Sequence, residues 1–129
     1  MVLVGDGPLR QACEAAANKR VRVVGAVDSL ADWLSISDCF LSLAEFEGYG
    51  LSVAEAAMAG VPIVSTPVGI SVEVGARTLS SQATVADCAQ AISECVAKGI
   101  KPACHNLYTV GYHVQAWLQV LQHRSKSAA

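Results

Sequence analysis

Residues 41–67 read LSLAEFEGYGLSVAEAAMAGVPIVSTP, and the reading of this stretch decides the fold. It overlaps a short apolar run, residues 39–43, suited to a buried strand. A polar, glycine-bearing loop follows, Glu45-Phe46-Glu47-Gly48-Tyr49-Gly50. Residues 51–59 are rich in Ala, Leu, Glu and Met, which favour helix. Gly60 suits the C′ position that stops a helix, and Val61-Pro62-Ile63-Val64 reads as the next strand. The unit is strand, loop, helix, strand. Its loop falls at the carboxyl end of a strand and the amino end of a helix. There α/β sheets bind ligands, and free backbone N–H groups can receive a phosphate.

Two carboxylates frame the unit. Glu47 lies in the loop and Glu55 lies eight residues on, in the helix. Glu47 precedes the helix, so helical phase does not align the pair. A reasonable geometry puts Glu47 at the helix mouth and Glu55 in the first turns, where it could accept hydrogen bonds from the paired hydroxyls of a ribose. Gly48 and Gly50 would let a ligand approach the backbone closely. The plainer alternative makes Glu47 a helix cap and Glu55 a solvated helix residue, and spacing by itself favours that alternative.

The residues from Glu47 to Val64 resemble the E-x7-E signature of retaining glycosyltransferases with the GT-B fold, most of all the family 4, or group 1, type. The likeness extends both ways. Gly5-Asp6-Gly7-Pro8 is similar to that family's GDGP turn, and residues 21–25 to its V-x-F-x-G strand. Thr66-Pro67-Val68-Gly69 with Glu73 is similar to its T-x-VGG-x-x-E loop, although Ile70 stands where a second glycine is usual. Val72 likewise replaces a common proline. These landmarks occur in the family's order over residues 1–75.

The resemblance implies glycosyl transfer from a nucleotide-diphospho-sugar, with Glu47 near the donor sugar and Glu55 on the ribose. It places the backbone of Gly48, Tyr49, Gly50, Leu51 and Ser52 near the phosphates. Gly25, Ala26, Val27 and Asp28 would lie against the base, and the Gly5 turn would form part of the donor cleft. No metal or other cofactor is implied.

Working outward, Val2-Leu3-Val4 reads as a strand running into the glycine turn, with Pro8 suited to the first position of a helix. Ser29 is a candidate N-cap for a helix over residues 30–36, and Thr84 for one over residues 85–97. Leu79-Ser80 is a candidate last strand, and Lys98-Gly99 a helix stop. A final helix is expected over residues 108–123, with Trp117 and its neighbours packing in the core. Strands alternating with helices predict a Rossmann-like, doubly wound α/β domain with a parallel sheet. The domain is expected to span residues 1–123, with a polar tail over residues 124–129.

Bulk properties narrow the classes. The chain has 129 residues, of which 53% are hydrophobic and 16% charged, as expected of one globular domain. A formal charge of −2 gives no footprint for nucleic acid. No apolar run reaches the roughly 18 residues of a spanning helix, and no secretory leader is expected. Cys13, Cys39, Cys88, Cys95 and Cys104 form no C-x-x-C pair, and an odd count is a poor disulfide framework. Reduced thiols and a cytoplasmic setting are expected. His105, His113 and His123 have no metal spacing with them.

The resemblance covers about three quarters of a donor-binding domain, of the kind that forms the carboxyl-terminal half of a two-domain enzyme. A family strand and the Arg and Lys that follow it would precede this sequence. Those cations meet the diphosphate, and Lys19, Arg20 and Arg22 do not match their context. The isolated chain is therefore expected to transfer sugar weakly or not at all. The absent strand is central in the family's sheet, so the strands at residues 2–4 and 39–43 are expected to pair directly or to recruit another chain. That chain would be a separate acceptor domain or a second copy. The alternative function is a non-catalytic module with a Rossmann-like fold that binds a nucleotide, a sugar nucleotide or a protein. A dehydrogenase-type site is disfavoured because Gly5-Asp6-Gly7 continues as Pro8-Leu9-Arg10, without the third glycine. A receiver-type phosphoacceptor is disfavoured because no paired acidic residues end the first strand.

Overall fold

The structure, a computed structural model, describes residues 1–103. The expected helix over residues 108–123 and the tail lie outside the described residues. Val2–Val4 (β1) and Arg22–Gly25 (β2) are β-branched runs of the kind strands favour, and they pair in parallel. Val2 pairs with Arg22 and Leu3 with Val23; the register then shifts, so that Val4 meets Gly25. The crossover is α1, Arg10–Ala16. Its start lies beyond Pro8, because residues 7–10 form a turn in which the Arg10 amide donates to the Gly7 carbonyl at 3.1 Å. Leu9 occupies the N-cap with no side-chain bond. The nearby carboxylate, Asp6, is taken up by the Gly7 amide and the Arg10 guanidinium instead.

The caps expected for the next helices are present. The Ser29 hydroxyl accepts from the Asp32 amide at 3.4 Å and starts α2, Leu30–Ser35. Phe40–Ser42 is β3 and Leu51–Met58 is α3. Gly60, at φ +69°, stops α3 in a Schellman arrangement, in which the Gly60 amide reaches the Ala57 carbonyl and the Val61 amide the Ala56 carbonyl. Ile63–Ser65 (β4) follows, then Arg77–Thr78 (β5), which lies two residues before the expected Leu79-Ser80. Thr84 caps α4, Val85–Lys98, through a reciprocal capping box with Asp87.

β4 is the middle strand of a parallel three-stranded sheet, β3-β4-β5, with Leu41 opposite Val64 and Val64 opposite Arg77. Alternation along β4 divides the core. Ile63 faces a cluster built from α2 and α3 with Val61, Ile70 and Val74. Val64 faces the other way, onto Leu79 and the α4 residues Ala91 and Cys95. Helices therefore cover both faces of this sheet, as a doubly wound fold requires.

The parallel strands do not form one continuous sheet. β1 and β2 make a separate two-stranded ribbon, and β1 does not pair with β3. The expectation of direct pairing between those strands is thus corrected. The reason lies in what fixes β3. It is held by β4 on one edge, and α2 packs on α3 in the first cluster. Neither cluster takes a side chain from β1, α1 or β2, and Gly25 is the one buried residue among residues 1–25.

Candidate functional site

The residues expected at the site fall into two groups, one at the carboxyl ends of each sheet. In the first, the Gly5 amide donates to the Gly25 carbonyl at 2.7 Å, which ties the turn after β1 to the turn after β2. Gly25 is buried, at φ +75°, and the Arg10 guanidinium lies over it; a Cβ at Gly25 would stand 2.6 Å from Arg10 Nη1. Arg10 in turn donates to Asp6 at 2.8 Å and to Glu14 at 2.9 Å. Hydrogen bonds to Glu14, then to Asp6, raise its already high pKa, so it stays charged and matched by two carboxylates. Val27 follows, half-buried, in the loop before Ser29.

Arg10 is absent from the expected site residues. Its signal was present in the sequence: Asp6, Arg10 and Glu14 stand at successive i,i+4 positions, where opposite charges meet. Arg20, by contrast, lies at the amino side of β2, where its carbonyl accepts from the Met1 ammonium at 2.8 Å.

The second group surrounds the acidic loop, residues 45–50. Thr66 Oγ1 donates to the Ala44 carbonyl at 2.5 Å, just before the loop, and the Ile70 amide donates to the Tyr49 carbonyl at 2.9 Å, near its end. The loop is thus fastened to the turn that follows β4. Gly50, buried at φ +91°, is the N-cap of α3. A left-handed backbone at that position suits glycine.

No side chain caps α3, so Glu47 is not a helix cap in this structure. The backbone at Leu51, Ser52 and Val53 therefore forms a helix start with the electropositive character that favours anions. Glu47, Gly48 and Tyr49 are exposed beside it. Glu55 lies on the exposed side of α3, whereas Val53, Ala54, Ala56 and Ala57 are buried. Glu73 is exposed in the turns after Gly69. Among the described residues, no group of three His, Cys, Asp or Glu side chains could hold a metal ion. Nor is any helix there long and apolar enough to cross a membrane.

This is a parallel α/β domain whose glycine turns and acidic loop sit at the carboxyl ends of its strands, beside an uncapped helix. Its sequence matches the family described as "Glycosyl transferases group 1" over residues 1–98, and the chain belongs to that family. It is similar to the Vi polysaccharide biosynthesis protein VipC/TviE of Salmonella typhi, 39% identical over 77 residues, covering 56% of this chain and 13% of that protein. It is similar to the N-acetyl-alpha-D-glucosaminyl L-malate synthase of Bacillus anthracis, 39% identical over 74 residues, which are 54% of this chain and 19% of that protein. A third relative is the lipopolysaccharide core biosynthesis mannosyltransferase LpsB of Rhizobium meliloti (strain 1021), 38% identical over 56 residues, or 43% of this chain and 16% of the relative. The matched part spans less than a fifth of each of these relatives.

Proposed function

We propose that this chain is the donor-binding part of a retaining, GT-B-type glycosyltransferase and binds a nucleotide-diphospho-sugar. The observation that carries this reading is the uncapped start of α3, with Glu47 exposed on the loop before it and Glu55 exposed on the helix itself. In this reading the amides of residues 51–53 receive a phosphate, Glu55 accepts from the ribose hydroxyls and Glu47 stands near the sugar. Gly5, Gly25 and Val27 line the base and the far side of the cleft. The names of two relatives, a mannosyltransferase and a synthase of a glucosaminyl product, support a sugar as the transferred group. The free Cys13, Cys39, Cys88 and Cys95 suit a reducing, cytoplasmic setting.

Transfer by the isolated chain is expected to be weak. Arg10 is already engaged by Asp6 and Glu14, so its charge does not make a ready clamp for a leaving diphosphate. Such stabilisation is usually worth several kcal/mol of barrier. The same observation favours the second reading, a binding module without catalysis. The separate β1-β2 ribbon supports a partner at the edges of β1 and β3 that are unpaired among the described residues, either an acceptor domain or a second copy.

The test is a titration of isotope-labelled chain with UDP-glucose, GDP-mannose and ADP-glucose, read by amide chemical shifts. Shifts at residues 48–55 and 25–28 for one donor are the expected result, and they would name the base. Glu55→Gln should weaken that binding about tenfold or more, because hydrogen bonds to a charged acceptor are worth about 1.5–3 kcal/mol. Unmoved resonances at millimolar donor would refute donor binding. Sugar transfer at ordinary enzyme rates would refute the weak-catalyst reading.

A further inference from the structure

We propose that the turn after β4 is a positioning clasp for the acidic loop, with Gly69 as its closest point of contact. The ligand part of this inference rests on the donor-site reading, whereas the clasp itself is a matter of packing. Gly69 has φ +56°, and a Cβ there would overlap the Tyr49 carbonyl oxygen. It would also lie 2.9 Å from the Tyr49 carbonyl carbon and 3.2 Å from Glu47 Cγ. The neighbour is backbone, which yields less readily than the end of a flexible side chain. Ile70, next in sequence, donates its amide to the same Tyr49 carbonyl, and the Thr66 hydroxyl holds Ala44. One short turn therefore holds the acidic loop near both its ends.

The turn is itself anchored in the core. The buried Ser71 hydroxyl donates to the Val68 carbonyl at 2.6 Å and lies 2.7 Å from the buried Ser65 hydroxyl. The Ile70 side chain is buried in the cluster with Val74 and Ile63. Glu47, in contrast, is exposed and enters none of the three ion pairs among the described residues. The path of its backbone therefore sets where its carboxylate stands, and Gly69 helps to set that path. Gly69 is a positioning residue in this account, acting on the ligand through Tyr49 and Glu47.

The structure supplies a matched control. Gly99 has φ +57°, nearly that of Gly69, yet among the described residues a Cβ there would meet nothing within 4 Å. Gly69→Ala and Gly99→Ala share the backbone strain, and Gly69→Ala alone adds the collision. Expected in the free protein is displacement by Gly69→Ala of the amide resonances of residues 47–50 and Ile70, and of the Glu47 carboxyl carbon. Gly99→Ala leaves them in place. With UDP-glucose, GDP-mannose or ADP-glucose, whichever the wild type binds, Gly69→Ala should weaken binding at least tenfold and Gly99→Ala less than twofold. Unmoved Tyr49 and Glu47 resonances in Gly69→Ala, or equal binding by the two variants, would overturn the clasp.

Should Gly69→Ala fail to fold, a second pair decides. Thr66→Val releases Ala44 and should move the resonances of residues 45–50, while Thr66→Ser keeps the hydroxyl and should restore them. No movement in Thr66→Val would equally overturn the clasp. A wild type that binds none of the three donors refutes the donor reading, and the free-protein resonances then decide the clasp alone.

Discussion

Val64→Ala and Val4→Ala make the same chemical change in two strands of very different burial. Val64 is 0% exposed, paired on both sides by β3 and β5, and packed against Leu79, Ala91 and Cys95. Truncation removes the equivalent of two methylenes, about 1.6 kcal/mol at ~0.8 each. A core clamped on every side collapses only partly, which adds a cavity cost of about 1 kcal/mol. The expected loss is about 2–3 kcal/mol. Val4 is 39% exposed in a two-stranded ribbon that sends no side chain into either core cluster. Its truncation should cost no more than about 1 kcal/mol on the same scale. For a domain near this size, 1 kcal/mol moves Tm by about 4–8 °C. Val64→Ala should therefore lower Tm by about 8–24 °C, and Val4→Ala by less than about 8 °C. Urea unfolding and thermal melts, followed by circular dichroism, give both numbers. Native-state hydrogen exchange should show Val23 and Val24 exchanging faster than Val64 and Ser65, since openings begin where few side chains are buried. Equal losses for the two variants would refute this uneven distribution of stability.

Thr84→Ala should cost about 1 kcal/mol, measured by urea unfolding, because it deletes an N-cap acceptor at the start of α4. The Asp87 carboxyl is held below its usual range by hydrogen bonds from the Thr84 hydroxyl and amide. Its contribution is present above the unfolded-state pKa and is lost as pH falls through the lower folded value. Asp87→Asn should accordingly shrink the difference in stability between neutral pH and about pH 3; an unchanged difference would count against the capping role. The Cys39 thiol is pushed up to about 11, first by burial and then by Cys95, and burial likewise raises Cys95. Iodoacetamide at about pH 8 should label exposed Cys13 before Cys39 and Cys95 and spare those two until urea is added, as peptide mass spectrometry will read. Equal native rates at Cys13 and Cys39 would mean that the second core cluster is open.

Features encoded within a few residues were legible in the sequence. Ser29, Thr84 and Gly60 act where their types place them, because caps and stops bond to backbone only a few residues away. The alternation of Ile63 and Val64 onto opposite faces was likewise contained in a strand's two-residue period. The likeness from Glu47 to Val64, with its glycines and paired carboxylates, marks the candidate loop within the sequence. Features that need distant residues were decided only by tertiary structure. Glu47 looked able to cap α3, and no side chain does. β1 and β3 were expected to pair directly or to recruit another chain, and they do not pair with each other. The contact between Gly69 and Tyr49 brings together residues 20 positions apart. Local hydrogen bonds and periodicity are written into neighbouring residues, whereas which strands pair, and which backbone a glycine admits, depend on how the packed layers bring remote segments into contact.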